Sequence, residues 1–283
     1  MQQTLRQRLQ SGFLIGGALI AGVFWLPTPW VVVALMAVCG LALWEFYGLL
    51  SAANIPAFRY VGVFSGLALV ATTWFSLRAS GGAPSDLEWI LLFLVTCAVF
   101  LRQFPQKNNP RPLETVASTL FGFMYAGYLF NFFTKLLTAW GDAEGRLLVL
   151  YLVLVVKFSD VGAYFVGCSF GRHKLFPRIS PAKSWEGLCG AILAGVVVSL
   201  LFRTISGGQL GMLTMHVWDA LILGVLLVVL GIFGDLTESL FKRAAGVKDS
   251  SRMILGMGGV LDVLDSLLFT APALYTYVRL FMK

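Results

Sequence analysis

Apolar runs that are long enough, or nearly long enough, to cross a bilayer recur along this chain from end to end. They cover residues 12–26, 30–50, 60–77, 89–101, 116–138, 147–167, 187–202, 217–233 and 261–281. A membrane-spanning helix needs about 20 such residues, and lipid demands that every backbone polar group be bonded within the protein. The sequence therefore predicts an all-α, polytopic integral membrane helical bundle with about nine transmembrane helices. The first two runs, which Pro27-Thr28-Pro29 separates, form either two crossings or one re-entrant hairpin.

The distribution of basic residues predicts which loops face the cytoplasm. The N-terminal layout, a basic stretch before an apolar run, is typical of a secretory signal peptide, but the run ends at Leu26-Pro27 without a small-residue cleavage site. We therefore expect a retained first helix and a cytoplasmic N-terminus. With that orientation, most of the 21 lysines and arginines fall on the cytoplasmic side, as the positive-inside rule requires. The two large basic cytoplasmic loops are then 168–186 and 234–260.

Composition excludes several classes of function. Hydrophobic residues make up 58% of the chain and charged residues 12%. That composition leaves no soluble basic domain, so we expect no nucleic-acid partner. The four cysteines include no Cys-x-x-Cys pair, and the chain has only two histidines. Neither a zinc site nor a disulfide framework is therefore indicated.

Ionisable and polar residues occur at helical spacing in three of the C-terminal segments. Such residues are costly in a bilayer and usually face a cavity or one another. All three stripes lie near the same predicted cytoplasmic boundary. Together they predict a polar, cytosol-facing pocket within a C-terminal catalytic part, 116–283, while residues 1–115 form N-terminal membrane helices. The stripes consist of Lys157, Asp160 and Tyr164; Asp235, Glu238, Ser239 and Lys242; and Asp262, Asp265 and Ser266.

Each stripe also has a purely structural explanation. Lys157 and Asp160 are spaced for an intrahelical ion pair. Asp262 and Asp265 are placed where carboxylates cap a helix and offset its dipole. The stripe that begins at Asp235 is placed where a helix leaves the membrane and one of its faces meets water.

The residue types in these stripes favour metal-dependent phosphate chemistry. Their carboxylates are hard oxygen ligands, which favour magnesium over zinc. The nearby lysines and arginines are suited to phosphate. Gly256, Gly258 and Gly259 precede the last helix and allow backbone N–H groups to approach a phosphate closely. This combination indicates phosphoryl or nucleotidyl transfer, where positioning and charge neutralisation provide most of the catalysis.

The segment SLFKRAAGVKDSSRMILGMGGVLDVLD, residues 239–265, resembles the signature of CTP:phosphatidate cytidylyltransferases, also called CDP-diacylglycerol synthases. That signature runs approximately S-x-F-K-R-x4-K-D-x-small-x2-I-P-G-H-G-G-x2-D-R-x-D. Upstream, ISPAKSWEG (179–187) resembles the family's I-S-P-K-K-T-W-E-G, and SDVGAYFVG (159–167) resembles its D-x-x-A-Y segment. A long spaced signature is far more specific than a short motif. The departures from the pattern, which leave the acceptor lipid open, are Ala182, Leu255, Met257 and Val263.

The resemblance implies an all-helical, homodimeric membrane enzyme that joins CTP and phosphatidic acid, or a related anionic lipid, to give CDP-diacylglycerol and pyrophosphate. It implies Mg²⁺ as the cofactor, with K⁺ as a candidate second cation. We expect a bacterial-type inner or cell membrane and a cytoplasmic active site. Asp235, Asp262 and Asp265 are then the metal ligands, and together with Lys242 they are the catalytic residues. The residues implied in substrate binding are Asp160, Ser180, Lys183, Ser184, Glu186, Ser239, Arg243, Lys248, Asp249, Gly258 and Gly259.

Two other functions are compatible with the same residues. One is a CTP-using enzyme that acts on another lipid, such as an isoprenoid cytidylyltransferase or a polyprenol kinase. The other, of a different class, is a lipid-binding protein or transporter without chemistry. Transporters often contain inverted repeats and broken helices at mid-membrane, whereas this sequence shows no repeat and gathers its polar residues at one boundary.

Overall fold

The computed structural model describes residues 22–82, 86–247, 250–251 and 258–282. In these residues the chain is mainly helical, as predicted. The elements in chain order are α1 Thr28–Ala52, α2 Arg59–Ala79, α3 Leu87–Gln103, α4 Pro112–Gly122, a π-helix Phe123–Tyr128, α5 Leu129–Thr138, α6 Asp142–Phe170, β1 Lys174–Phe176, β2 Ser180–Ser184, α7 Trp185–Ile205, β3 Gln209–Leu210, β4 Leu213–Thr214, α8 Val217–Ala244 and α9 Val260–Phe281.

Six segments of the described chain are long and apolar enough to cross a membrane, which makes this a multi-pass membrane protein. They are α1, α2, the succession from α4 to α5, α6, α7 and α8. Each predicted run from residue 30 onward coincides with a helix or, for 116–138, with that succession. The first predicted run, 12–26, lies mostly outside the described residues. The helices α3 and α9 are not among the six, so the number of about nine crossings stays a prediction.

Prolines and glycines set several helix boundaries. Helix α1 has Pro29 at its second position, and α4 begins with Pro112, because proline is tolerated in a first turn, where its missing N–H would have no intrahelical acceptor. Helix α8 continues to Ala244, well into the predicted loop 234–260. It ends where Gly246 adopts a left-handed conformation with φ of 68°. The N–H of Gly246 donates to the Arg243 carbonyl and that of Val247 to the Lys242 carbonyl, which is the Schellman arrangement.

A short β-hairpin occupies most of the predicted loop 168–186. Strands β1 and β2 pair antiparallel, with Lys174 opposite Ser184 and Phe176 opposite Ser180. Strands β3 and β4 form a second, two-residue pairing. These hairpins lie between helices and leave the all-α class of the protein unchanged.

One compact unit contains the described residues of 1–140 and 241–264. In this unit, aromatic rings of α1, α4 and the π-helix surround the ring of Phe241, near the C-terminal end of α8. The ring-centroid distances from Phe241 are 6.0 Å to Phe46, 5.5 Å to Phe121 and 5.2 Å to Tyr125. Phe241, the residue just before Lys242, is thereby fixed against α1, α4 and the π-helix.

The π-helix interrupts what is otherwise one long helical segment, and the residues after it contact other elements. The side-chain amide of Asn131 in α5 donates to Oγ1 of Thr73 in α2 at 2.9 Å. The ammonium group of Lys135, also in α5, lies 2.6 Å from Oε1 of Glu88 in α3. The helical segment before the π-helix therefore packs beside Phe241, whereas the segment after it contacts α2 and α3.

The second unit contains residues 141–240 and the described part of 265–283. Helices α6 and α7 pack closely because glycines face the neighbouring backbone: a Cβ on Gly162 would overlap Ala194, and one on Gly190 would overlap Val166. Small residues at such crossings let membrane helices gain packing contacts along their length. The unit holds both the β1–β2 hairpin and the part of α8 that contains Asp235. The predicted division of function at residue 115 stays a prediction.

Candidate active site

Five charged side chains from four elements of the second unit lie together, and we call them the aspartate cluster: Lys157, Asp160, Lys183, Asp235 and Asp265. The ammonium group of Lys183, in β2, lies 2.6 Å from Oδ2 of Asp235, in α8. It also donates to the carbonyl oxygen of Ile232 at 3.4 Å. The Lys183 and Asp235 side chains are 21% and 37% exposed, so that a ligand can reach this ion pair.

The rest of the cluster combines an ion pair with a buried carboxylate. Lys157 lies 3.8 Å from Oδ2 of Asp160, which confirms the intrahelical pair expected from their spacing. Lys157 also donates to Oγ of Ser266 at 3.2 Å. Asp265 is buried, and the charges of Asp160 and Asp235 act on it. Three aspartates against two lysines leave an excess of negative charge, which favours an added cation.

The hairpin that presents Lys183 is fixed at its base by Glu186. The Glu186 carboxylate accepts hydrogen bonds from the backbone N–H groups of Arg172, at 3.2 Å, and His173, at 3.3 Å. Its Oε1 also lies 2.7 Å from Nδ1 of His173. In this structure Glu186 therefore has a positioning role, and its predicted contact with substrate stays a prediction.

Two of the predicted serines make structural hydrogen bonds. Ser184 caps α7, because its hydroxyl accepts from the N–H of Gly187 at 3.1 Å. Ser239 lies one turn beyond Asp235 and donates to its Oδ1 at 3.4 Å. Ser180 begins β2 and is half-buried. All three remain predictions as substrate-binding residues.

A second group, in the first unit, surrounds the glycines before α9, and we call it the glycine-turn cluster: Glu45, Lys242, Ser250, Ser251, Gly259 and Asp262. Asp262 is the third residue of α9, and its Oδ2 accepts from the N–H of Gly259 at 2.6 Å. It also accepts from the N–H of Ser250 at 3.2 Å and pairs with Lys242 at 2.9 Å. A third-position carboxylate that bonds the N-cap N–H is half of a capping box, so the capping explanation for Asp262 is confirmed.

Both predicted glycines are required by this turn. Gly258 has φ of 96°, a conformation that residues with a Cβ rarely adopt. A Cβ there would also overlap the Asp262 carboxylate. A Cβ on Gly259 would overlap the hydroxyl of Ser250 and the carboxylate of Glu45. The glycines thus admit carboxylates close to the backbone, and the approach of a phosphate expected from the sequence stays a prediction.

Glu45 is a residue that the sequence reasoning missed. It lies in α1 and is only 3% exposed, yet its carboxylate accepts hydrogen bonds from residues more than two hundred positions away. The sequence did contain a signal for Glu45, because it is an ionisable residue inside the apolar run 30–50, and such a residue indicates a polar partner. Its partner segment was not deducible, since a single carboxylate has no spacing to compare.

Several predicted positions fall outside these two groups. Arg243 is exposed near the end of α8. Val263 lies in α9, and Ala182 is exposed in β2. Positions outside the described residues include two predicted binding residues and two departures from the family pattern: Lys248, Asp249, Leu255 and Met257.

The predicted metal ligands belong to both units, since Asp262 lies in the first and Asp235 and Asp265 lie in the second. Among the described residues, no three aspartate, glutamate, histidine or cysteine side chains are grouped to hold a metal ion by themselves. Magnesium bound with a nucleotide commonly takes one or two carboxylates and completes its shell with water and phosphate oxygens. The carboxylate oxygens of the aspartate cluster and its excess of negative charge fit an ion of that kind.

Comparison with known proteins gives one consistent result. The model of the cytidylyltransferase family matches residues 6–281. A phosphatidate cytidylyltransferase of Haemophilus influenzae is 34% identical in an alignment that covers 98% of this chain and 99% of the relative. A phosphatidate cytidylyltransferase of Mycobacterium bovis is 32% identical, over 98% of this chain and 89% of the relative. One from Staphylococcus haemolyticus is 33% identical, over 83% of this chain and 85% of the relative.

Proposed function

Because this chain belongs to the cytidylyltransferase family, we propose that it transfers the cytidylyl group of CTP to phosphatidic acid, giving CDP-diacylglycerol and pyrophosphate. The similarity extends over nearly the whole chain and nearly the whole length of the Haemophilus relative. The observation that carries the proposal is the aspartate cluster, in which lysines and carboxylates of four elements lie together in one partly exposed group. A polyphosphate with its metal ion needs both kinds of charge.

The reaction exchanges one phosphoanhydride bond for another. A phosphate oxygen of the lipid attacks the α-phosphorus of CTP, the new P–O bond forms, and the bond to the β-phosphate breaks to release pyrophosphate. Since both reactants are anions, their mutual repulsion has to be offset before they can approach. Lysine ammonium groups neutralise phosphate oxygens as point charges, and Lys183 and Lys242 are the residues that we assign to this role.

We propose that Asp235 and Asp265 hold magnesium in the second unit. A bound magnesium ion would polarise phosphate oxygens and neutralise the charge that develops on them. When a phosphate takes the ammonium group of Lys183, the carboxylate of Asp235 loses this ion-pair partner and its Oδ2 becomes available to a cation. Asp262 holds Lys242 in the first unit, and its assignment as a metal ligand is also proposed. We add K⁺ as the candidate second cation.

The setting of the reaction is part of the proposal. The bias of lysine and arginine supports a cytoplasmic N-terminus and a cytoplasmic active site in the inner or cell membrane of a bacterium. The same basic face would attract both CTP and anionic lipid. We further propose a homodimer, in keeping with the family resemblance.

The test is a direct assay of the purified protein in detergent. The protein is mixed with CTP, phosphatidic acid and magnesium chloride, and both pyrophosphate and the lipid product are measured. We expect equimolar pyrophosphate and CDP-diacylglycerol, and neither product without magnesium. Release of CDP in place of pyrophosphate would identify a kinase, and product with an isoprenoid phosphate but not with phosphatidic acid would identify another acceptor. Either result contradicts the proposal.

A further inference from the structure

Glu45 links α1 to the segment that carries the glycines and Asp262. The carboxylate is buried in the first unit and accepts hydrogen bonds from four groups of the described residues. Two come from backbone N–H groups at the start of α9, those of Val260 at 3.0 Å and Leu261 at 2.8 Å. Two come from hydroxyl groups, those of Ser250 at 3.2 Å and Ser251 at 2.6 Å. One side chain of α1 therefore bonds residues on both sides of the undescribed stretch 252–257.

These contacts place a negative charge at the N-terminus of α9, where it is most favourable. The first N–H groups of a helix have no intrahelical acceptors, and the helix dipole attracts anions there. Asp262 bonds the N–H of Gly259, and Glu45 bonds the N–H groups of the next two residues. Together the two carboxylates satisfy three successive donors, so that the direction in which α9 starts depends on a residue of α1.

Phe46, which follows Glu45 in α1, holds the chain next to Lys242, the ion-pair partner of Asp262. Phe46 packs edge-on against Phe241, which immediately precedes Lys242. Lys242 lies 2.9 Å from Oδ1 of Asp262. Two consecutive residues of α1 thus hold the chain on either side of this ion pair, one through hydrogen bonds and the other through ring packing.

We infer that Glu45 is a positioning residue of the enzyme: it fixes the glycine turn and, through that turn, sets the Asp262 carboxylate and its partner Lys242 for the reaction. This inference rests on the function proposed above. Glu45 acts on the neighbouring backbone and hydroxyl groups and does not itself contact substrate. A small displacement of such a group lowers the rate of the chemical step more than it weakens binding.

The test compares Glu45→Gln with Glu88→Gln. Glutamine has nearly the same shape as glutamate, but it lacks the charge and turns an NH₂ donor toward other donors. Glu88 is a second carboxylate of the first unit, paired with Lys135, and it serves as the matched control. Two quantities are measured in detergent: steady-state pyrophosphate release, and backbone amide exchange of peptides that cover 258–264 and, for comparison, 64–77.

For Glu45→Gln we expect kcat to fall by about tenfold or more while KM for CTP stays within about threefold. Amide exchange should become faster in 258–264 and stay unchanged in 64–77. For Glu88→Gln we expect the parent kcat and the parent exchange in 258–264, even where thermal stability falls. Glu45→Asp, which keeps the charge on a shorter side chain, should recover part of the rate.

Unchanged exchange in 258–264, or faster exchange throughout the first unit, would overturn the inference. So would a Glu45→Gln enzyme with kcat close to that of the parent. If Glu45→Gln does not fold, the same measurements on Glu45→Asp decide, since a positioning role requires slower turnover and faster local exchange there too. A parent protein that releases no pyrophosphate would refute the proposed function, and the exchange comparison would still show whether Glu45 holds this segment.

Discussion

Lys183 and Asp235 form an ion pair at 2.6 Å, so that a residue of the β1–β2 hairpin and a residue of α8 neutralise one another. The family resemblance assigns Lys183 to substrate binding and Asp235 to metal binding. In the structure the two side chains pair with each other. A phosphate would therefore compete with Asp235 for Lys183, and a metal ion would compete with Lys183 for Asp235. If Lys183 binds phosphate and Asp235 binds magnesium as proposed, substrate binding and metal binding would be coupled through this pair.

The coupling predicts non-additive losses at this pair. Lys183→Met and Asp235→Asn should each lower activity by about 100-fold, because each removes a charge and leaves a half-buried partner unpaired. The double variant should lose far less than the product of the two single losses. Pyrophosphate release is measured for the parent, the two single variants and the double variant, which together form a double-mutant cycle. Lys174→Met, at an exposed position of the same hairpin, should keep nearly the parent rate. Strictly multiplicative losses would mean that the two side chains act independently.

Asp265 should be needed for turnover and not for folding. Asparagine keeps the shape and removes one negative charge from a cluster with excess negative charge, so thermal stability should stay the same or rise. Activity should fall by about 100-fold or more, and high magnesium should restore part of it. The measurement is pyrophosphate release across a magnesium titration.

The matched control for that experiment is Asp219→Asn. Asp219 is as buried as Asp265, at 8% exposure, and lies in the same unit, where it bonds the hydroxyl of Tyr277 and the N–H of His216. We expect its variant to keep the parent rate. Activity of Asp265→Asn within about threefold of the parent would rule out the proposed metal role.

Gly258→Ala should cost more than an alanine at another left-handed glycine. At Gly81, φ is 65° and a Cβ would meet no atom within 4 Å, so Gly81→Ala should lose only about 1 kcal/mol of stability to backbone strain. At Gly258 the same strain is joined by overlap with the Asp262 carboxylate. We expect a lower melting temperature and a large loss of activity for Gly258→Ala alone. Equal behaviour of the two variants in thermal unfolding and turnover would contradict the described turn.

The proposed orientation predicts opposite labelling of two exposed positions. Cysteines are introduced singly as Lys174→Cys and Ser80→Cys, in a protein without its native thiols. We expect an impermeant thiol reagent to modify Ser80→Cys in intact cells and Lys174→Cys only after lysis. The reverse pattern would invert the topology. The thiols removed are Cys39, Cys97, Cys168 and Cys189.

The helices, the Lys157–Asp160 pair and the cap at Asp262 were predictable because they depend on local spacing. Apolar runs marked the helices, and residues three apart on a helix share a face. The extent of α8 was harder to predict, because its polar end resembles a loop in composition while lacking any glycine or proline from Asp235 to Ala245. The β1–β2 hairpin has strands of three and five residues, too short for an alternating pattern to be recognised.

The partners of Glu45 were beyond sequence reasoning for a different reason. Its hydrogen bonds join residues more than two hundred positions apart, and only the packing of α1 in the first unit brings them into contact. A single chain contains no periodicity that reports such a pairing. The same holds for Lys183 and Asp235, whose charges were recognised individually while their mutual contact was not.

The π-helix has a consequence for how this protein can tolerate insertions and deletions. Each added residue rotates everything downstream by about 100° around a helix axis, and a π-turn absorbs one such residue without breaking the helix. Deleting one residue from Phe123–Tyr128 should therefore turn the π-helix into ordinary α-helix and leave Asn131 near Thr73 and Lys135 near Glu88. Deleting one residue from α5 before Asn131 has no such reserve, and it would swing both side chains away from these partners. One-residue length variation among descendants of this sequence should accordingly be found in the connections between helices and in the six positions of the π-helix, and be selected against in the rest of α4 and α5.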